Sequence, residues 1–196
     1  MPHRTLESQE GQALIDLVKK RALHISDGEP FKLASGKTSL YFFDMKPVIL
    51  DPTGARMIAS AVLRIIEPLG ITQVGGMESG AIPIVASVVH ASANGQFKVD
   101  GFYVRKTPKQ RGTMQLIEGN LTPGKRTAIL EDVTTTGGMS LKAVQEARNA
   151  GCVVGHVVTL LDRGQGSSSG LAQAGVELIA LLSLKDVLPA HLLEDK

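Results

Sequence analysis

The stretch Ala128-Ile129-Leu130-Glu131-Asp132-Val133-Thr134-Thr135-Thr136-Gly137-Gly138-Met139-Ser140 decides the fold class. Its opening, from Thr127 to Leu130, is an apolar run fit for a strand buried on both faces, and it delivers two adjacent carboxylates to the strand end. Three hydroxyl residues and two glycines then turn into a helix expected over 141–150. Such a turn aims successive backbone N–H groups and the positive end of a helix dipole at whatever lies above it. A phosphate monoester is the natural occupant. The threonines add hydroxyl donors, and the glycines let the backbone come close. Glu131 and Asp132 cannot also bind phosphate; they suit the vicinal hydroxyls of a ribose, which are donors wanting acceptors. A sugar phosphate with free 2- and 3-hydroxyls satisfies both halves. No GKS or GKT follows a glycine in this segment and no GxGxxG marks it, which excludes the NTPase loop and the dinucleotide fingerprint.

Outward from that stretch the same rhythm of strand, glycine loop and helix recurs. TQVGG (72–76) leads through MESGAIP into an apolar helix ending near Ala93, and VDGFYV (99–104) is a strand followed by a polar loop from Arg105 to Gln115. VVGHVVTLLD (153–162) and VELIALLS (176–183) are further apolar strands separated by a short helical stretch. The pattern predicts an α/β fold, a central, mostly parallel sheet flanked by helices, with ligands bound beyond the carboxyl ends of its strands. Upstream, Leu14, Val18 and Arg21/Ala22 fall at helical spacing within roughly 6–23. FKLASG and LYFFDM are short extended pieces around a turn at Ser35-Gly36-Lys37. Asp51-Pro52 opens a helix as N-cap and first-turn proline, with Ala55, Ile58, Val62 and Ile65/Ile66 as its buried stripe. The expected organisation is one domain over 1–196, with about 1–48 forming a small N-terminal hood and about 49–185 the α/β core.

Bulk properties exclude several classes. A chain of 196 residues with 43% hydrophobic and 20% charged residues can bury a proper core. A net charge of +2 is too small for a nucleic-acid or membrane surface, so any bound anion must be held by local clusters. The one thiol, Cys152, rules out disulfide staples and suits a reducing cytoplasm. The opening MPHRTLESQEGQ has no apolar core and does not read as a signal peptide, and no apolar run approaches bilayer length. The five histidines lack metal-ligand spacing.

A second constellation is Arg105-Lys106-Thr107-Pro108-Lys109-Gln110-Arg111-Gly112, four cations within seven residues at a strand end. A charge run is usually a solvated face, but Pro108 and Gly112 make this one a loop. A mobile cationic loop suits a diphosphate whose charge grows as the bond to it breaks. Two further segments stand out. Phe31-Lys32-Leu33-Ala34-Ser35-Gly36-Lys37-Thr38-Ser39-Leu40-Tyr41-Phe42-Phe43-Asp44 pairs a glycine turn with aromatics, and Asp162-Arg163 closes an apolar strand with a guanidinium able to fork a carboxylate.

The acid–threonine–glycine segment resembles the phosphoribosyl pyrophosphate motif of type I phosphoribosyltransferases. The basic loop resembles the Arg-Lys-x-x-Lys-x-His-Gly loop of orotate phosphoribosyltransferases; Arg105, Lys106 and Lys109 match, while Arg111 keeps a cation but loses the titratable group of the usual histidine. The aromatic segment and the Asp162-Arg163 pair are similar to the same family's, and together the likeness runs in order from Phe31 to Arg163. It implies a type I phosphoribosyltransferase-like fold and transfer of a 5-phosphoribosyl group from phosphoribosyl pyrophosphate to orotate. It implies that Arg105, Lys106, Lys109 and Asp132 serve catalysis. It implies that Arg105, Lys106, Lys109, Arg111, Glu131, Asp132, Val133, Thr134, Thr135, Thr136, Gly137, Gly138 and Met139 hold the donor. Thr135, Arg163, Phe42 and Phe43 would meet orotate, although the two phenylalanines serve equally well as core aromatics of the hood. Where some members carry lysine, this chain has Ala34, so Lys32 or Lys37 would supply that charge. Gly75-Gly76-Met77-Glu78-Ser79-Gly80 is similar to the family's pyrophosphate loop, with backbone amides in place of the Tyr-Lys pair of the enterobacterial form. Magnesium (Mg2+) would be held by substrate and water with no direct protein ligand. The basic loop would reach the neighbouring subunit's site in a homodimer. Two rival readings are a phosphoribosyltransferase for another base and a nonenzymatic regulator that senses phosphoribosyl pyrophosphate; the first thirty residues are too short and too weakly basic for a DNA-binding segment.

Overall fold

The computed structural model describes residues 9–32, 38–108 and 116–193. Its first helix, α1 (Gln9–Arg21), turns Leu14, Ile15 and Val18 inward. The small N-terminal hood follows. Strand β1 (Leu23–Ile25) pairs antiparallel with β4 (Tyr41–Phe43), and β2 (Phe31–Lys32) pairs antiparallel with β3 (Thr38–Ser39). The expected turn at Ser35, Gly36 and Lys37 lies outside the described residues. Two helices leave the hood, the short α2 (Lys46–Ile49) and α3 (Pro52–Ile66). As Asp51-Pro52 predicts, the Asp51 carboxylate caps α3 by accepting from the Thr53 and Gly54 amides at 3.0 Å. Ile58, Val62 and Ile66 are fully buried along that helix, joined by Met57 and Ala59.

The remaining elements alternate. They are β5 (Gln73–Gly75), α4 (Ala81–Ser92), β6 (Asp100–Val104), β7 (Ile117–Gly119), β8 (Arg126–Thr134), α5 (Gly138–Asn149), β9 (Val153–Asp162), α6 (Ser167–Gln173), β10 (Glu177–Ser183) and α7 (Leu184–Val187). They form a six-stranded sheet in the order β10-β9-β8-β5-β6-β7. Every pairing is parallel except that of β7, which returns antiparallel along β6. Sequence reasoning does not pick out β7, because Ile117–Gly119 is too short to show a period.

Alternation along the central strands builds a core on each face. Ala128 and Leu130 of β8, with Val158 and Leu160 of β9, pack with α1, α3 and α4 on one side. Ile129 and Val157 pack with Ala143, Val144 and Leu171 of α5 and α6 on the other. Both faces are apolar, which is why these strands read as continuous hydrophobic runs. One expectation about β8 shifts. The strand does not end at the carboxylates but continues to Thr134, which pairs with Asp162. The acid pair therefore sits inside a hydrogen-bonded ladder, which fixes its backbone more firmly than a loop would. Among the described residues, no helix is long and apolar enough to cross a membrane.

Candidate active site

A cleft of about 320 Å³ opens beyond the carboxyl ends of β5 and β8. One wall is the continuous run Glu131 to Ser140, and the facing wall is Met77 to Gly80; Lys46 and Lys106 complete the rim. Both walls end in a helix N-terminus, those of α5 and α4, and neither helix has a side-chain cap. Orphan amides and two positive dipole ends thus meet in one concavity, a setting that favours anions.

The acid pair splits by environment. Glu131 is only 8% exposed and accepts a hydrogen bond from the Ser140 hydroxyl at 2.9 Å. Burial first, and then the neighbouring Asp132 carboxylate, push its pKa up from 4.5 to about 8, so Glu131 carries a proton near neutral pH. Asp132 is half-buried, with Oδ1 accepting from the Val133 amide at 2.9 Å. Its carboxylate lies against Gly80 so closely that a Cβ there would stand 2.7 Å from Cγ and both oxygens. Gly80 therefore leaves room for Asp132.

Beyond the acids, the turn behaves as its sequence implies. Gly137 takes φ +79°, a left-handed conformation natural to glycine, and swings the backbone into α5. Val133, Thr134, Thr135, Thr136, Gly137, Gly138 and Met139 all line the cleft. The Thr134 hydroxyl is buried and lacks a hydrogen-bond partner. Such a group carries a desolvation cost that an incoming phosphate oxygen would relieve.

Only the start of the basic loop is described. Lys106 lines the cleft of its own chain, and its amide donates to Glu78 Oε1 at 2.7 Å, tying the exit of β6 to the opposite wall. Arg105 does not line the cleft; its Nε donates to the Thr107 carbonyl at 3.3 Å. Lys109 and Arg111 lie outside the described residues.

The strand β4 separates the residues expected near the base. Phe43 is 6% exposed and belongs to the main core, edge-on to Tyr41 with ring centroids 5.9 Å apart. Phe42, on the opposite face, is 42% exposed and sits near the rings of Phe31 and His24. Neither phenylalanine lines the cleft. Arg163 does not line it either, yet it is 6% exposed, its amide donates to the Thr134 carbonyl at 2.9 Å, and its Nε has no hydrogen-bond partner. Its guanidinium carbon stands 5.2 Å from the centre of the Tyr41 ring. A surface arginine paired with an acid is not what the structure contains.

Sequence reasoning does not single out Lys46, which borders the cleft and pairs with Asp44 at 3.1 Å. Partial burial alone would raise Asp44; the Lys46 amide and ammonium outweigh it and hold the carboxyl below its usual range. A usable signal existed, since a lysine at the opening of a helix opposes the helix dipole and calls for a reason. Lys32, one of two residues expected to replace the missing lysine of Ala34, is exposed on β2 and does not border the cleft; Lys37 lies outside the described residues. No cluster of three metal-ligating side chains occurs among the described residues.

A parallel sheet whose carboxyl edge carries an acid pair, a threonine–glycine turn and a helix N-terminus defines a phosphoribosyltransferase of type I. The solved structure of a phosphoribosyltransferase from Corynebacterium diphtheriae matches with a TM-score of 0.80 and 32% identity, over 92% of this chain and 99% of that one. No protein-family model matches the chain. Orotate phosphoribosyltransferase of Aquifex aeolicus is 38% identical over 179 residues, 91% of this chain and 98% of its own length. That of Rhodopirellula baltica is 40% identical over 88% of this chain and 91% of its own length. The chain belongs to the orotate phosphoribosyltransferase family.

Proposed function

We propose that the chain transfers the 5-phosphoribosyl group of phosphoribosyl pyrophosphate to the ring nitrogen of orotate, giving orotidine 5'-phosphate and pyrophosphate for pyrimidine nucleotide synthesis. The observation that carries this reading is the single wall running from Glu131 to Ser140, where acceptors for ribose hydroxyls and donors for a phosphate share one side of one cleft. The C1–oxygen bond to diphosphate breaks and a C1–nitrogen bond to the pyrimidine forms, through a sugar with oxocarbenium character. The work is positional and electrostatic. Asp132 and Glu131 hold the ribose hydroxyls, and positive charge developing on the sugar draws Glu131 back toward its anion. The turn Thr134 to Gly138 holds the 5-phosphate. Orotate supplies its own anionic nitrogen, so no nucleophilic side chain is needed.

Lys106, with Lys46 across the rim and the amides of Ser79 and Gly80 at the start of α4, receives the diphosphate. Arg105, Lys109 and Arg111 act from the neighbouring subunit of a homodimer; that Lys106 lines its own cleft while Arg105 does not, its Nε donating instead to the Thr107 carbonyl, supports that division. Magnesium fits this chemistry, because it keeps several waters and would be held by substrate oxygens and water, with Glu78, Glu131 and Asp132 the cleft carboxylates that its waters would meet. When bound it neutralises charge on the departing diphosphate. Arg163 receives the orotate carboxylate, and Thr135 contacts the base. The reaction belongs to the cytoplasm, where the free, buried Cys152 stays reduced.

The test is a base panel. With phosphoribosyl pyrophosphate and magnesium, orotate is consumed while uracil, adenine and hypoxanthine are not. Consumption of a purine and not of orotate would overturn the base assignment while sparing the fold; no turnover with any base would point to a sensor.

A further inference from the structure

A buried guanidinium normally finds a carboxylate, since an uncompensated buried charge costs several kcal/mol. Arg163 departs from that habit. Among the described residues no carboxylate lies within ion-pair reach of it; its neighbour Asp162 is engaged by the Gly164 amide at 3.0 Å and the Ser167 hydroxyl at 2.9 Å. What faces Arg163 is the ring of Tyr41, which comes from the hood. The backbone that carries the ring is itself held in place. The Tyr41 amide donates to the Ser39 hydroxyl at 3.3 Å, Ser39 Oγ donates back to the Tyr41 carbonyl at 2.8 Å, and β4 registers Tyr41 opposite Ile25. The edge contact with buried Phe43 anchors the ring to the core.

We infer that Tyr41 is a positioning residue for Arg163: its ring holds the guanidinium by a cation–π contact while leaving the charge free for a substrate carboxylate. The inference rests on the reading of Arg163 as the orotate-carboxylate anchor. The physical gain is selectivity. An acidic partner would fix the arginine equally well but would neutralise it and repel the incoming carboxylate; a neutral π face fixes it and leaves its edge donors unspent. The hood strand thereby helps choose the base although Tyr41 borders no part of the phosphoribosyl cleft.

Steady-state kinetics on Tyr41→Leu and Tyr41→Phe, each alone and with Arg163→Ala, test this. The leucine variant should raise the orotate KM about threefold to tenfold, with kcat and the phosphoribosyl pyrophosphate KM within about twofold, and phenylalanine should restore the wild-type KM because the ring face is kept. In the Arg163→Ala background the leucine substitution should have almost no further effect, since its target is gone. Should Tyr41→Leu not accumulate folded, Tyr41→Ile takes its place. Equal defects in the leucine and phenylalanine variants, parallel rises in both KM values, or a full additional loss on top of Arg163→Ala would each overturn the positioning role. If Arg163→Ala itself leaves the orotate KM unchanged, the anchor reading fails first and carries this one with it; a large Arg163→Ala effect with a silent Tyr41→Leu refutes Tyr41 alone.

Discussion

Replacing Gly80 with alanine should damage the reaction while sparing the fold. Gly80 has φ −63° and ψ −40°, ordinary helical values that alanine adopts without strain. The obstacle is lateral: the new Cβ would stand 2.7 Å from the Asp132 carboxylate, where ordinary contact begins at 3.4 Å. One of the two must give by about 0.7 Å, the difference between those distances. The backbone of Gly80 opens the twelve-residue helix α4, whereas the carboxylate is the end of a short side chain, so Asp132 moves. A displacement near 1 Å of a positioning group costs up to about a hundredfold. A fall of about tenfold to a hundredfold in kcat/KM for phosphoribosyl pyrophosphate is therefore expected, about 1.4 to 2.7 kcal/mol of transition-state stabilisation. Alanine also reduces the freedom of the unfolded chain, worth about 0.4 to 1 kcal/mol, so the melting temperature should stay within about 4 °C. Initial rates with the donor varied, beside a calorimetric melt, make the comparison. Activity within twofold of wild type would refute the placing of Asp132 at the ribose. Lost activity accompanied by a large drop in melting temperature would refute the claim that the steric conflict is confined to the site.

Lys109→Ala should lower kcat by orders of magnitude with little change in donor affinity, and mixing it with Asp132→Asn should restore some activity in hybrid dimers; no recovery despite proven subunit exchange would argue against a shared loop. Arg163→Ala should raise the orotate KM about tenfold to a hundredfold and sharply reduce discrimination against uracil, and lysine should rescue it only in part; equal losses for both bases would make the residue structural. Because the Glu131 pKa is raised in the fold, the folded chain holds a proton there that the unfolded chain gives up above about 4.5; this stabilisation is fully present below that pH and is lost as pH rises through about 8. The ligand-free protein should accordingly show a melting temperature that falls less steeply across that window in Glu131→Gln than in wild type, and identical slopes would contradict the buried, protonated state.

The segment from Ala128 to Ser140 announced most of the fold and the longer wall of the cleft, because strand burial, phosphate chemistry and helix polarity all press on the same few residues. Tyr41, Phe42 and Phe43 were less legible. Three aromatics in a row tell only that β4 exists; which ring enters the core and which one meets Arg163 depends on the register with β1, a tertiary fact. Lys46, and the closeness of Gly80 to Asp132, were opaque for related reasons. The significance of Lys46 comes from a cleft closed by elements far away in sequence, and the role of Gly80 lies in how close Asp132 comes, which no local pattern encodes. The burial of Glu131 was half visible, since an acid after an apolar run must be partnered or protonated, but its Ser140 donor comes from the next helix.

Orotate absorbance and pyrophosphate release, followed together in one reaction with phosphoribosyl pyrophosphate and magnesium, decide whether the chain catalyses the transfer. One pyrophosphate should appear for each orotate consumed, with no release when orotate is left out. Pyrophosphate released without loss of orotate, or no reaction at all by folded protein, would rule out phosphoribosyl transfer to orotate.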